Sequence, residues 1–213
     1  MKKLADVDFD PAKGAQELRE FGELLASRAE LAERADIQQF FKERRHLCAL
    51  VGTCGPHGSV ADCLAFEFPI VGDFSADLVV GNRVPRAFLF VELEDARQNS
   101  VFSRVGDRAA RDWSPRFNHG FSQIVDWFCS LDDFKRTRRF SRDFGGGHVR
   151  FSGLLLIGRS ANLEGDEKER LSWRADKVKV DSVQVGCMTY DDLYDALAFR
   201  MRVWGLATDA EES

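Results

Sequence analysis

The chain has 213 residues, 44% of them hydrophobic and 31% charged, with a formal net charge of −5. That is enough apolar material for a real core, in one domain or a domain with a helical appendage, and the acidic balance excludes a polycation, so any grip on nucleic acid must come from a local basic patch. Cys48, Cys54, Cys63, Cys129 and Cys187 form no CxxC pair, which excludes a zinc ribbon or disulfide scaffold and leaves small buried hydrophobes of a reducing compartment.

Residues 1–13 are polar. From 15 to 47 the pattern is helical: Leu18, Phe21 and Leu25 make one apolar stripe, and Ile37, Phe40, Phe41, Arg44 and Leu47 make another stripe. This is one helix, or two with a break near 27–35. The first stripe either packs on its own domain or supplies an interface. Asp36 opens the second stripe, either as an N-terminal cap or as a helix-borne acid aimed at a site. Residues 46–51 (HLCALV) read as a short strand, 52–59 as a glycine-rich loop, 62–68 (DCLAFEF) as the first main strand and 69–74 as a turn.

Residues 76–80 (ADLVV) and 87–96 (AFLFVELEDA) follow as adjacent buried strands, punctuated by Gly81-Asn82 and Pro85. Residues 97–118 form a long connection that interleaves Arg104, Arg108, Arg111 and Arg116 with Phe102, Trp113 and Phe117, which suits phosphate grip and base stacking or a surface loop pinned by its aromatics. Residues 119–131 (HGFSQIVDWFCSL) are helical, with Phe121, Ile124, Phe128 and Leu131 on the buried face and Gln123 and Trp127 on a neighbouring one. Residues 135–150 (KRTRRFSRDFGGGHVR) read as a mobile basic loop holding Arg138 and Arg139. A buried strand at 151–158, an exposed helix at 163–173, a strand or two within 177–189, a closing amphipathic helix at 190–204 and an acidic tail at 205–213 complete the chain. No signal peptide is visible and no run is long enough to span a membrane, so the expected setting is cytoplasmic, with no membrane partner. Of the 30 basic residues, arginine dominates over lysine, which reflects either composition bias or a planar grip on phosphate.

The chemistry concentrates in the paired strands. Side chains alternate along a strand, so Phe88, Phe90, Glu92 and Glu94 share a face, and Asp77 lies early on the neighbouring strand. Ionised carboxylates leave water only when paired or bound to a cation. With no Lys or Arg expected on that face, the three acids either hold a hard divalent metal through oxygen or sit at strand ends in water. The mixed order of elements predicts an α/β fold, a sandwich with a central mixed sheet.

This arrangement resembles the PD-(D/E)xK nuclease superfamily, whose mark is an Asp on one strand and Glu-x-Lys on the next, followed by a supporting helix. Asp77 matches the Asp, Glu92 the Glu and Glu94 the position of the Lys; QIVDW (123–127) is similar to a Gln-x-x-x-Tyr helix with Trp for Tyr. More narrowly, DLVV, FVELEDA, GFSQIVDW, LLLIGR (154–159) and TYDDL (189–193) occur in the order of the Shedu anti-phage defence nuclease domain. The resemblance implies a restriction-endonuclease-like α/β/α sandwich, with residues 1–33 an N-terminal helical segment, 34–204 the nuclease domain and 205–213 the tail.

It also implies a DNA endonuclease, a homo-oligomer, that uses Mg²⁺ or Mn²⁺. Asp77, Glu92, Glu94 and the carbonyl of Leu93 would be ligands, Gln123 would orient water or phosphate, and Asp36, with Glu33 competing, would be a helix acid. Arg97, Arg104, Arg108, Arg116, Arg138 and Arg139 would meet DNA. Glu94 breaks the family pattern, because it cannot supply the lysine's positive charge. Either it adds a ligand for a second metal, or Arg97 or a loop arginine supplies the charge instead, or the chain binds nucleic acid or a partner protein without cutting.

Overall fold

In the computed structural model, residues 3–70, 74–108, 110–180 and 182–205 are described. Strand β1 (Ala5–Asp6) and helix α1 (Pro11–Ser27) come first, followed by a π-helical segment (Glu33–Gln38) that runs on into α2 (Gln39–Lys42), then α3 (Arg45–Val51). Three strands follow, β2 (Cys63–Pro69), β3 (Ser75–Asn82) and β4 (Ala87–Leu93). Two short strands, β5 (Phe102–Ser103) and β6 (Asp112–Trp113), precede helices α4 (Pro115–Phe134) and α5 (Arg138–Phe144). The remainder is β7 (Arg150–Leu156), α6 (Glu167–Lys177), β8 (Lys179–Val180), β9 (Val183–Met188) and α7 (Tyr190–Val203).

The main sheet has seven strands in the order β1-β2-β3-β4-β7-β9-β8. The meander β1 to β4 is antiparallel, β4, β7 and β9 run parallel, and β8 turns back on β9. One face buries Phe88, Phe90, Ile124, Trp127 and Phe144 beneath α4, α5 and α6. The other buries Leu89, Val91, Phe21, Leu50 and Leu197 beneath α1, α3 and α7. The alternation of odd and even residues of β4 between these two cores makes the fold an α/β sandwich. The first apolar stripe is spent inside the domain: Ala15, Leu18, Phe21 and Leu25 are all buried there.

Several elements differ from their sequence expectation. HLCALV is helix α3, not a strand; every residue from Leu47 to Val51 is buried, so the run is apolar all round and carries no strand alternation to separate the two readings. The basic run expected to be a mobile loop contains α5. Thr137 caps it, its hydroxyl accepting the Phe140 N–H at 3.1 Å, and Gly145 ends it at φ 83°. Its Phe140 and Phe144 enter an aromatic cluster in which Phe144 meets Phe68, Phe88, Phe90, Phe134 and Phe151. Helix α4 starts earlier than expected, with Pro115 in its first turn and the Ser114 hydroxyl accepting from Phe117 N–H at 2.9 Å. The predicted acidic tail lies, from residue 206 on, outside the described residues. Among the described residues no helix is long and apolar enough to cross a membrane, and all five cysteines are free thiols.

Phe144 carries most of the aromatic contact of α5 with the sheet, meeting Phe68, Phe88, Phe90 and Phe151. Phe144→Ala is expected to cost about 3–5 kcal/mol in urea unfolding. The exposed neighbour Ser141→Ala is expected to stay within about 0.5 kcal/mol.

Candidate active site

The register of the antiparallel strands builds a row of acids. Leu78 pairs with Val91, so Asp77 stands across from Glu92 at the end of the β3–β4 ladder. Phe66 pairs with Leu78 and Phe68 with Ala76, so Glu67 stands across from Asp77 on the other side. The strands rotate at this point. Phe66 and Leu78 pack toward one core, while Phe68 and Ala76, two residues away, pack toward the other. Glu67 takes up the rotation at φ 47°, a left-handed backbone that costs a non-glycine residue roughly 1–3 kcal/mol.

A polar cavity of about 1000 Å³ opens over this row. The sheet contributes Glu67, Ser75, Asp77, Glu92 and Glu94; the π-helical segment and α2 contribute Glu33, Arg34, Gln38 and Lys42; α4 contributes Pro115, Arg116, His119 and Gln123. Gly120 lets α4 come this close, since a Cβ there would stand 2.8 Å from Leu155 Cδ1 and 3.1 Å from Glu94.

Each acid has a different environment. Asp77 is fixed at both oxygens: Oδ1 accepts from Gln38 Nε2 at 3.0 Å and Oδ2 from the Leu93 N–H at 2.9 Å. Burial pushes its carboxyl up to about 6, against the pull of the Leu93 N–H, with Glu33 and Glu94 adding to the rise. Glu92 is 7% exposed and, among the described residues, receives no hydrogen bond and no ion pair. Burial, then the charges of Asp77, Glu94 and Glu33, push it up to about 10. Glu94 is 2% exposed but meets Arg116 Nη1 at 2.5 Å. Burial raises its pKa and the guanidinium opposes that rise. Arg116 also reaches Glu33 at 2.9 Å and Asp95 at 3.2 Å.

The geometry corrects several expectations. An arginine does stand on the acids' face, and it claims Glu94. Among the described residues no group of three or more His, Cys, Asp or Glu side chains is arranged to hold a metal ion, so the expected ligand trio Asp77, Glu92 and Glu94 is not assembled. Leu93 reaches the site through its amide N–H and does not line the cavity, so its carbonyl is not placed as a ligand. Asp36 is a local brace, its Oδ2 accepting the Ala32 N–H at 2.8 Å and its Oδ1 taking Arg28 at 2.6 Å. Glu33, not Asp36, is the acid this segment turns into the cavity.

Gln123 lines the cavity as expected, whereas its neighbour Trp127 is wholly buried in the core. Of the six arginines singled out, Arg116 lines the cavity. Arg97 leans on Asp95 at 3.6 Å, Arg104 and Arg108 lie on the β5–β6 hairpin, and Arg139 donates to the Pro69 carbonyl at 2.6 Å. Arg138 is exposed on α5.

Gln38, Lys42, Glu67 and His119 were missed. A signal existed for Glu67, an acid inside the oily run FEF. Gln38 and Lys42 lie four apart on one helical face, a pattern indistinguishable from any solvated helix surface until the cavity is seen.

A carboxyl whose pKa is raised on folding binds its proton more tightly in the folded state. It therefore has no effect on stability below the ordinary carboxylate range and costs stability progressively as pH rises from there toward the raised value. In chelator, Glu92→Gln is expected to raise Tm at pH 8, by an amount that shrinks steadily as pH falls and vanishes near pH 4. Calorimetric melts across pH check it; a Tm difference independent of pH would contradict the buried, unpartnered carboxyl.

Residues 31–194 match the family model described as Shedu protein SduA, C-terminal. No curated protein matches the chain. The matched span runs from Leu31, bridged to Ala96 beside the site, to Tyr194 in α7, and so takes in the strands β2 to β9, α4 and every residue lining the cavity. The chain belongs to the Shedu SduA C-terminal family.

Proposed function

We propose that the protein is a divalent-cation-dependent DNA endonuclease of the PD-(D/E)xK type, acting in anti-phage defence as the Shedu family does. One observation carries the reading: two carboxyls face each other from adjacent strands at the floor of a polar cavity, and the more buried of them, Glu92, has no protein partner among the described residues. Leaving a carboxyl there is costly unless a cation satisfies it.

Asp77 and Glu92 fit such an ion by donor type and number, because Mg²⁺ keeps several waters and takes only one or two protein carboxylates. When bound, the ion would neutralise phosphate charge and lower the pKa of water. The chain's own groups do the rest. Gln38 and the Leu93 N–H hold Asp77 in orientation. Gln123, half-buried on the cavity wall, orients a water or a phosphate oxygen. Arg34, 90% exposed at the mouth, is placed to meet the DNA backbone, with Arg97, Arg104, Arg108 and Arg138 as outlying contacts. Arg139, tied to Pro69 and Asp143, would contribute mainly by anchoring α5.

A second reading, a nucleic-acid or partner-binding module that does not cut, draws on the Glu94–Arg116 pair, which neutralises the position where the superfamily carries its lysine. We further propose a homo-oligomer in the cytoplasm. The exposed face of α7, with Phe199 60% and Val203 62% exposed, is a surface available for self-association.

Supercoiled plasmid is expected to be nicked by the wild-type protein in Mg²⁺ or Mn²⁺ and left intact in chelator. Glu92→Gln and Asp77→Asn are each expected to slow nicking at least 100-fold. Equal rates for wild type and Glu92→Gln would remove cleavage from this site and leave the binding reading.

A further inference from the structure

A nuclease of this type needs a positive group at the scissile phosphate, and the position after Glu92-Leu93 holds Glu94 in its place. Three cations line the cavity: Arg34, 90% exposed at the mouth, Arg116 and Lys42. Arg116 is committed: its guanidinium bridges Glu94, Glu33 and Asp95, so its charge is spent on three carboxylates. Lys42 differs. It leaves α2 one helical turn after Gln38, the residue that holds Asp77, and so reaches the cavity on the Asp77 side. Its ammonium meets Glu67 Oε1 at 2.6 Å, with 40% of the lysine side chain exposed.

Glu67 is the residue on which strand β2 rotates, at φ 47°, across from Asp77. Left-handed backbone at a non-glycine residue inside a strand is kept only when its surroundings hold it, and it clusters at functional sites. Here it accompanies the one turn of the strand that brings a carboxylate to Lys42 at the cavity's edge.

We propose that Lys42 is a catalytic residue, the ammonium that contacts the scissile phosphate in place of the strand lysine this chain lacks, and that Glu67 is its positioning residue. The assignment rests on the nuclease reading above. In the step it serves, the oxygen of water forms a bond to phosphorus, the bond from phosphorus to the departing nucleoside oxygen breaks, a water proton passes to solvent and the departing oxygen takes one from solvent. Lys42 stays protonated throughout and donates a hydrogen bond to a non-bridging oxygen whose charge grows in the transition state.

The test is steady-state nicking of supercoiled plasmid in Mn²⁺ by wild type, Lys42→Met, Lys42→Arg, Glu67→Gln and Arg116→Met. Lys42→Met is expected to lower kcat about 100-fold with KM within about 3-fold, because the contact tightens in the transition state. Lys42→Arg is expected to recover at least a tenth of the wild-type rate by restoring charge. Glu67→Gln is expected to lose about 5- to 10-fold in kcat and to keep its KM. Lys42 and Glu67 are both partly exposed, so the Tm of their variants is expected within about 3 °C of wild type, which separates a catalytic from a structural loss.

If wild type nicks, Glu92→Gln does not and Lys42→Met is unimpaired, or loses only in KM, the assignment falls and the nuclease reading stands. An Arg116→Met variant that alone loses kcat likewise overturns the assignment and transfers the role to Arg116. A wild type that does not nick overturns both.

Discussion

Everything at the site follows from one constraint: a carboxyl is held 7% exposed, across the sheet from a second carboxyl, without a partner of its own among the described residues. Asp77 tolerates its burial because two hydrogen-bond donors fix it. Glu94 tolerates it because an arginine reaches it. Glu92 has neither, and its acidity is displaced further than that of the other two as a result. Natural cores rarely leave such a group unmatched, since replacing it with an apolar or amide side chain would stabilise the fold. On the reading proposed above, its presence at the floor of an open polar cavity serves a ligand rather than stability.

The rest of the molecule brings α4 and the π-helical segment to that row and keeps them there, and arginine is the usual fastener. Arg116 ties α4 to β4 and to Glu33 across the cavity. Arg159 donates to Asp191 and to the carbonyls of Leu25 and Arg28, joining the end of β7 to α7 and α1. Arg111 and Glu167 form a buried ion pair beneath the β5–β6 hairpin, and Arg170 and Arg174 lie over Phe102, Trp113, Phe117 and Phe121. The planar fork suits such multi-carbonyl and ring-stacked contacts where an ammonium would not. Much of the chain's arginine excess is therefore structural. The LLLIGR and TYDDL blocks that carry the family likeness meet in the Arg159–Asp191 contact and do not enter the cavity.

The two strands of the hairpin were legible in the sequence. ADLVV and AFLFVELEDA are short apolar runs rich in Val, Leu and Phe, set off by Gly81-Asn82 and Pro85, and once they are read as strands the side-chain alternation places Phe88, Phe90 and Glu92 on one face. Gln123 was legible for a similar reason, set against the buried stripe of its helix. Three things were not. A wholly buried run such as HLCALV shows no period. A basic stretch hides a helix when only Phe140 and Phe144 anchor it. Side-chain pairing across long sequence separations, such as Arg116 with Glu94 or Lys42 with Glu67, leaves no local trace. The choice between Glu33 and Asp36 turned on the π-helical segment, whose wider turn sends Glu33 to the cavity and Asp36 back to Ala32, and no periodicity argument reports that.

The central claim is that Glu92 awaits a cation, and proton release tests it most directly. At pH 7.5 a carboxyl raised to about 10 is protonated, while one near 6 is mostly ionised, so an ion binding between Asp77 and Glu92 must expel about one proton. Mn²⁺ titrations by calorimetry in buffers of different ionisation enthalpy count that proton. The account predicts saturable binding with about one proton released per ion in the wild type, and neither in Glu92→Gln. Binding without proton release, or equal binding by both proteins, would contradict it.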